Sequence, residues 1–165
     1  LRLFDILTGA SEQICQLESN NNSTRSNDGR ADPYGGFWIG TMGLAAEPHA
    51  GSIYRFFEGE IVKLFPNITI SNSICFSPDK KFGYFCDTPE RKIMRVSLDQ
   101  KGWPSSDPEV FIDLQETNLN PDGAVIDLSG YLWSAQWGAS RVARYDRNGC
   151  FVSAVSYTHL RAHET

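Results

Sequence analysis

Asn120-Pro121-Asp122-Gly123, followed by Ile126-Asp127-Leu128-Ser129-Gly130-Tyr131-Leu132-Trp133-Ser134, decides the fold because it is one of three copies. The first copy runs Arg25-Ser26-Asn27-Asp28-Gly29, then Asp32-Pro33-Tyr34-Gly35-Gly36-Phe37-Trp38-Ile39-Gly40-Thr41. The second runs Ser71-Asn72-Ser73, then Phe76-Ser77-Pro78-Asp79, then Phe82-Gly83-Tyr84-Phe85-Cys86-Asp87-Thr88. Each copy holds a polar residue expected in a loop, a short link, and a strand carrying an aromatic. Aligned on Trp38, Tyr84 and Trp133, the period is 46 and then 49 residues. Asn27, Asn72 and Asp122 then stand 11, 12 and 11 residues upstream of those aromatics. Three oxygen-bearing side chains occupy one place in three repeats.

Between the copies the chain alternates apolar and polar residues with the period of a half-exposed strand. Ser52-Ile53-Tyr54-Arg55-Phe56 leads through Glu58-Gly59 to Ile61–Phe65, and Lys92–Val96 leads through a Lys101-Gly102 turn to Val110–Leu114. Arg141–Asp146 leads through Asn148-Gly149 to Phe151–Val155; both turn residues tolerate positive φ, so this is a strong hairpin signal. Leu1–Asp5 with Thr8-Gly9 has the same outer-strand signature. Gly, Pro, Asn and Asp interrupt the chain too often for a long helix. Short strands grouped into long repeats, one aromatic per unit, predict an all-β fold of the β-propeller type. A sandwich accounts for the strands but not for the repeat. The expected blades span roughly 20–66, 67–115 and 116–154, with the end of another over 1 to about 19. Closed propellers have roughly four to eight blades, so the expectation is an incomplete arc of three blades and part of a fourth.

The 165 residues suffice for one core, and 41% hydrophobic with 21% charged residues is a globular composition. A formal net charge of −5 speaks against a nucleic-acid surface, which needs clustered Lys and Arg. With no apolar run of about 18 residues, no membrane-spanning helix is predicted. The chain opens on Leu1 rather than methionine, so the natural N-terminus and any targeting segment are expected to lie outside it. Cys15, Cys75, Cys86 and Cys150 lack zinc-ligand spacing and read as buried strand thiols; a reducing, cytoplasmic setting is expected. Cys75 and Cys86 flank one turn, but sequence cannot show a bond between them. Residues 155–165, Val-Ser-Tyr-Thr-His-Leu-Arg-Ala-His-Glu-Thr, fit no blade and resemble the in-frame translation of a sequencing adapter. On that reading the native propeller segment is 1–154, and the i, i+4 pair His159 and His163 is not a metal site.

In a propeller, equivalent loops of successive blades point toward the axis, so Asn27, Asn72 and Asp122 are expected to face a common region. Two amides and a carboxylate are hard oxygen donors suited to Ca²⁺, Mg²⁺ or Mn²⁺. Arg25 offers a cationic fork for an anionic or polyhydroxylated ligand. Asn-Asp-Gly and Pro-Asp-Gly are equally good turn formers, so the residues alone leave both readings open.

Residues 25–42, 70–79 and 120–127, continued by Trp133–Tyr145 with Trp137-Gly138 and Arg141-Val142, resemble the SMP-30/gluconolactonase/luciferin-regenerating-enzyme family. Gly102-Trp103-Pro104 and Ala135-Gln136-Trp137-Gly138-Ala139 look most similar to its bacterial sugar-lactonase branch. The resemblance implies a six-bladed propeller with one divalent cation (Ca, Zn, Mn or Mg) that hydrolyses a small sugar lactone, with no nucleic-acid or membrane partner and no indication of oligomeric state. It implies Asn72 and Asp122 as metal ligands, Arg25 and Asn27 as substrate contacts, and a third ligand, a glutamate, from a first blade absent here. Two departures stand out. Ser73 occupies a position where the family often has glycine, and the substrate-contacting glutamate expected after Thr41-Met42 is replaced by Gly43-Leu44-Ala45-Ala46-Glu47. Glu47 is the candidate for that role on a shifted loop, while Asp28 reads as a turn residue.

Asp122, the only carboxylate among the three aligned positions, is the expected catalytic base. A carboxylate bound to a dication is a weak base, so it serves both roles only with one oxygen left off the cation. Arg25 and Asn27 would orient the sugar hydroxyls. The alternatives are a phosphotriesterase on the same fold and a non-catalytic binding propeller.

Overall fold

The structure is a computed structural model and describes residues 1–157. It is all-β apart from one 3-10 turn, Thr88–Glu90, and divides into two compact units that meet in sequence at Ser71/Asn72. Among the described residues no helix is long and apolar enough to cross a membrane.

The first unit opens with a hairpin, β1 (Arg2–Phe4) against β2 (Ser11–Gln13). It continues in a four-stranded sheet of β3 (Thr24–Ala31), β4 (Phe37–Gly43), β5 (Gly51–Phe57) and β6 (Glu60–Ile68). The second unit holds two such sheets. One comprises β7 (Ser71–Phe76), β8 (Phe82–Asp87), β9 (Lys92–Ser97) and β10 (Glu109–Asp113). The other comprises β11 (Asn120–Ile126), β12 (Leu132–Trp137), β13 (Arg141–Tyr145) and β14 (Phe151–Ser156). Strand order follows sequence order in every sheet, so each is an up-and-down meander. β14 runs to Ser156, two residues beyond Ala154; ladder bonds come from the backbone and need no particular side chain. His159 and His163 lie outside the described residues.

The three aromatics that set the repeat all lie on second strands, and each faces an arginine on the third. The register pairs Trp38 with Arg55, Tyr84 with Arg95, and Trp133 with Arg144. Arg95 also stacks on Phe82 and Phe111, and Arg144 lies over Tyr131, 3.8 Å from the ring centre. Stacking lets a guanidinium sit against apolar rings within a sheet face. The first-to-second-strand turns also repeat: Gly35, Lys80 and Gly130 have φ of 87°, 64° and 81°. Asp32 and Asp127 brace two of these turns by accepting the N–H groups two and four residues on. The core of the second unit includes Cys75, Cys86, Ile93, Leu132 and Tyr84, whose phenol burial pushes up to about 12.

Candidate functional site

Asn27, Asn72 and Asp122 are not loop residues. They lie within β3, β7 and β11, the first strands of the three sheets. On β3 the register slips between Ser26 and Gly29, so Asn27 and Asp28 together face Gly40. On β11 it slips between Pro121 and Ala124, so Asp122 and Gly123 face Ala135. Both are β-bulges, which leave a residue out of the ladder and re-aim its side chain. On β7 the residue after Asn72, Ser73, has φ of 59°, a left-handed conformation that glycine adopts without strain. Asn-Asp-Gly and Asp-Gly thus mark bulges rather than turns, because small polar residues and glycine suit both irregularities.

In the second unit Asn72 and Asp122 are tied to a shared polar network. Asn72, 8% exposed, donates from Nδ2 to Thr88 Oγ1 at 3.0 Å, and Thr88 Oγ1 donates to the Pro121 carbonyl at 2.8 Å. Ser73 Oγ donates to the Asp122 carbonyl at 2.6 Å, and Cys86 Sγ lies 3.4 Å from Ser73 Oγ. Two hard oxygen donors, an amide and a carboxylate, therefore sit on strands pinned to each other. That set fits part of a hard cation's shell. Among the described residues there is no group of three or more His, Cys, Asp or Glu able to hold a metal, so this pair is not a complete protein cage.

In the first unit Arg25 Nη1 donates to Asn27 Oδ1 at 3.1 Å and to the Ser26 carbonyl at 3.0 Å. Asn27 Nδ2 donates to the Ser71 carbonyl at 2.9 Å. Asp28 Oδ1 accepts the Gly29 N–H, a local role like the one read from sequence. Glu47 is exposed, and its Oε2 accepts the Ala45 N–H at 3.0 Å. Its carboxylate lies against Gly43, which pairs with Thr24 beside Arg25.

Glu18 carries no signal in the repeat, lying between β2 and β3. Its carboxylate nonetheless accepts the hydroxyls of Thr24 at 2.5 Å, Tyr54 at 2.6 Å and Thr41 at 3.2 Å. Burial first, and then this carboxylate, push the Tyr54 phenol up. Thr88 also escapes a reading of spacing, since its partners lie 16 and 33 residues away.

Repeated four-stranded meanders, with oxygen-bearing side chains at matching places on their first strands, define a propeller-type β-protein. The chain belongs to the family described as SMP-30/Gluconolactonase/LRE-like, whose model matches residues 1–160. A protein of Rhizobium meliloti (strain 1021) provisionally named a sugar lactone lactonase is 48% identical over 126 residues, 76% of this chain and 43% of that one. An L-arabinolactonase of Azospirillum brasilense is 38% identical over 160 residues, 94% of this chain and 53% of that one. Among solved structures, the calcium-binding protein regucalcin of Agrobacterium tumefaciens str. C58 superposes with a TM-score of 0.91 at 46% identity, over 94% of this chain and 53% of that one. The chain thus spans about half the length of the relatives it matches.

Proposed function

We propose that the whole protein hydrolyses a sugar lactone, such as gluconolactone, arabinolactone or xylonolactone, to the sugar acid with one divalent cation, on a six-bladed β-propeller. This chain contributes three blades and part of a fourth, with residues 1–154 as the propeller segment and 155–165 as foreign sequence. The observation that carries the reading is the pinning of Asn72 and Asp122 by Thr88 and Ser73. Lactonase names among the relatives support the reaction, and the calcium-binding regucalcin structure supports a cation.

In this reading Asn72 Oδ1 and the Asp122 carboxylate hold the cation, joined by a glutamate from outside this chain. When bound, the cation supplies Lewis acidity toward the lactone carbonyl. Asp122 would take a proton from the attacking water. That proton then reaches the ring oxygen as the acyl C–O bond breaks, giving a carboxylic acid and a free hydroxyl. Arg25 and Asn27, joined to each other at 3.1 Å, hold the sugar hydroxyls. Glu47 takes the further substrate contact.

The test follows proton release from aldonolactones by the whole protein, before and after chelation and on adding back Ca²⁺, Mn²⁺, Mg²⁺ or Zn²⁺. Activity that vanishes and returns with a cation is the expected result. Hydrolysis of phosphotriesters but not lactones moves the assignment to the phosphotriesterase reading. No hydrolysis of either leaves a binding propeller.

A further inference from the structure

Thr88 closes the second repeat copy, in the 3-10 turn that follows β8, with 7% of its surface exposed. Its hydroxyl has a single proton. The Pro121 carbonyl, 2.8 Å away, can only accept, so that proton is committed to it. Toward Asn72, at 3.0 Å, the hydroxyl therefore offers a lone pair, and only the amide NH₂ can donate to a lone pair. The orientation of the Asn72 amide follows from proton counting: Nδ2 faces Thr88, and Oδ1 is turned the other way.

The same hydroxyl acts on Asp122. Pro121 is its chain neighbour, and the ladder slips between Pro121 and Ala124. Holding the Pro121 carbonyl holds the strand at the point where Asp122 leaves the ladder. Ser73 Oγ, 2.6 Å from the Asp122 carbonyl, grips the other side of that residue.

We infer that Thr88 is a positioning residue for the cation site: one hydroxyl fixes which atom of Asn72 faces the cation and where the bulge bearing Asp122 begins. The inference rests on the metal-site reading above and adds to it a residue that touches neither cation nor substrate. Outer hydrogen bonds of this kind commonly set metal affinity, because an unrestrained amide presents oxygen and nitrogen alike.

Mn²⁺ alone is titrated into the whole protein and its T88V and T88S variants, with free Mn²⁺ read by electron paramagnetic resonance. The amide-proton spectrum of each variant checks the fold and reports the Asn72 side-chain NH₂ signals. Valine keeps the shape of threonine but can neither donate nor accept. T88V is expected to bind roughly tenfold to a hundredfold more weakly, with the Asn72 NH₂ signals shifted. T88S is expected to restore both. Equal affinity in T88V and the unsubstituted whole protein overturns the role of Thr88 and leaves the metal site standing. A loss in T88S as deep as in T88V overturns it too, since packing of the methyl would then be the cause. Failure of the unsubstituted whole protein to bind Mn²⁺ overturns the metal-site reading, and the Thr88 role falls with it. Metal binding without lactone hydrolysis overturns only the reaction and supports the Thr88 role if the variants behave as stated.

Discussion

Arg55 Nε donates to Asp32 Oδ2 at 2.6 Å, and both side chains are fully buried. Asp32 also accepts the Tyr34 and Gly36 N–H groups through Oδ1. One carboxylate thus organises the β3–β4 turn and neutralises the arginine facing Trp38 across β4 and β5. Removing one member of a buried pair leaves a charge in low dielectric with nothing to balance it.

Asp32→Asn should therefore destabilise the first unit by about 3–5 kcal/mol, read as a lower urea midpoint. An unchanged midpoint would show that water reaches the guanidinium in place of the carboxylate.

Gly36 leaves room for the pair. A Cβ there would come within 2.8 Å of Arg55 Nε and press on Asp32 Oδ2. Gly36→Ala should cost about 1–3 kcal/mol through forced displacement of packed side chains. In an Asp32→Asn background it should cost less, because the ion pair it disturbs is already gone. A double-mutant cycle measures the difference.

In the whole protein, Asp122→Ala should abolish lactone turnover, since it removes both a proposed ligand and the proposed base. Arg25→Ala should raise KM with kcat largely kept, the signature of lost ground-state binding. Steady-state kinetics separates the two. Full activity in the Asp122 variant would sink its assignment.

Asp127 offers a pH test. The Trp133 indole N–H, then the Tyr131 backbone N–H, hold its carboxyl below the ordinary 3.8. A folded-state pKa below the unfolded one means that the unfolded chain binds the proton more readily. Its contribution to stability is present above pH 3.8 and fades as pH falls through the lowered folded value. Asp127→Asn should flatten the acid limb of the stability curve in that window and leave its shape at neutral pH unaltered. An identical acid limb would count against the indole bond in solution.

All four cysteines are free thiols, with Cys75 and Cys86 buried, Cys15 half-buried and Cys150 exposed. A thiol reagent should label Cys150 quickly under native conditions. Cys75 and Cys86 should react only when the second unit opens, because reactivity requires an accessible thiolate. Peptide mapping after a short pulse reads the order.

The second, third and fourth strands of each sheet, the turns between them and the three-fold repeat were legible in the sequence, because each depends on residues near in the chain. Apolar alternation marks a strand face, and Asn148-Gly149 or Asp127-Leu128-Ser129-Gly130 marks its end whatever lies beyond. The same local logic singled out Asn27, Asn72 and Asp122, and the family resemblance made Asn72 and Asp122 expected ligands and Asn27 an expected substrate contact. Local logic also misplaced them. A residue pair that favours a turn favours a bulge equally, and only the register against β4 and β12 shows that the ladder continues past Asn27 and Asp122. The remainder was settled by contacts between distant residues. Ser73 meets Asp122 across 49 residues, Thr88 meets Pro121 across 33, and Arg55 meets Asp32 across 23. A hydroxyl or a carboxylate in the sequence is satisfied by any suitable partner, and only packing of the strands decides which one it meets.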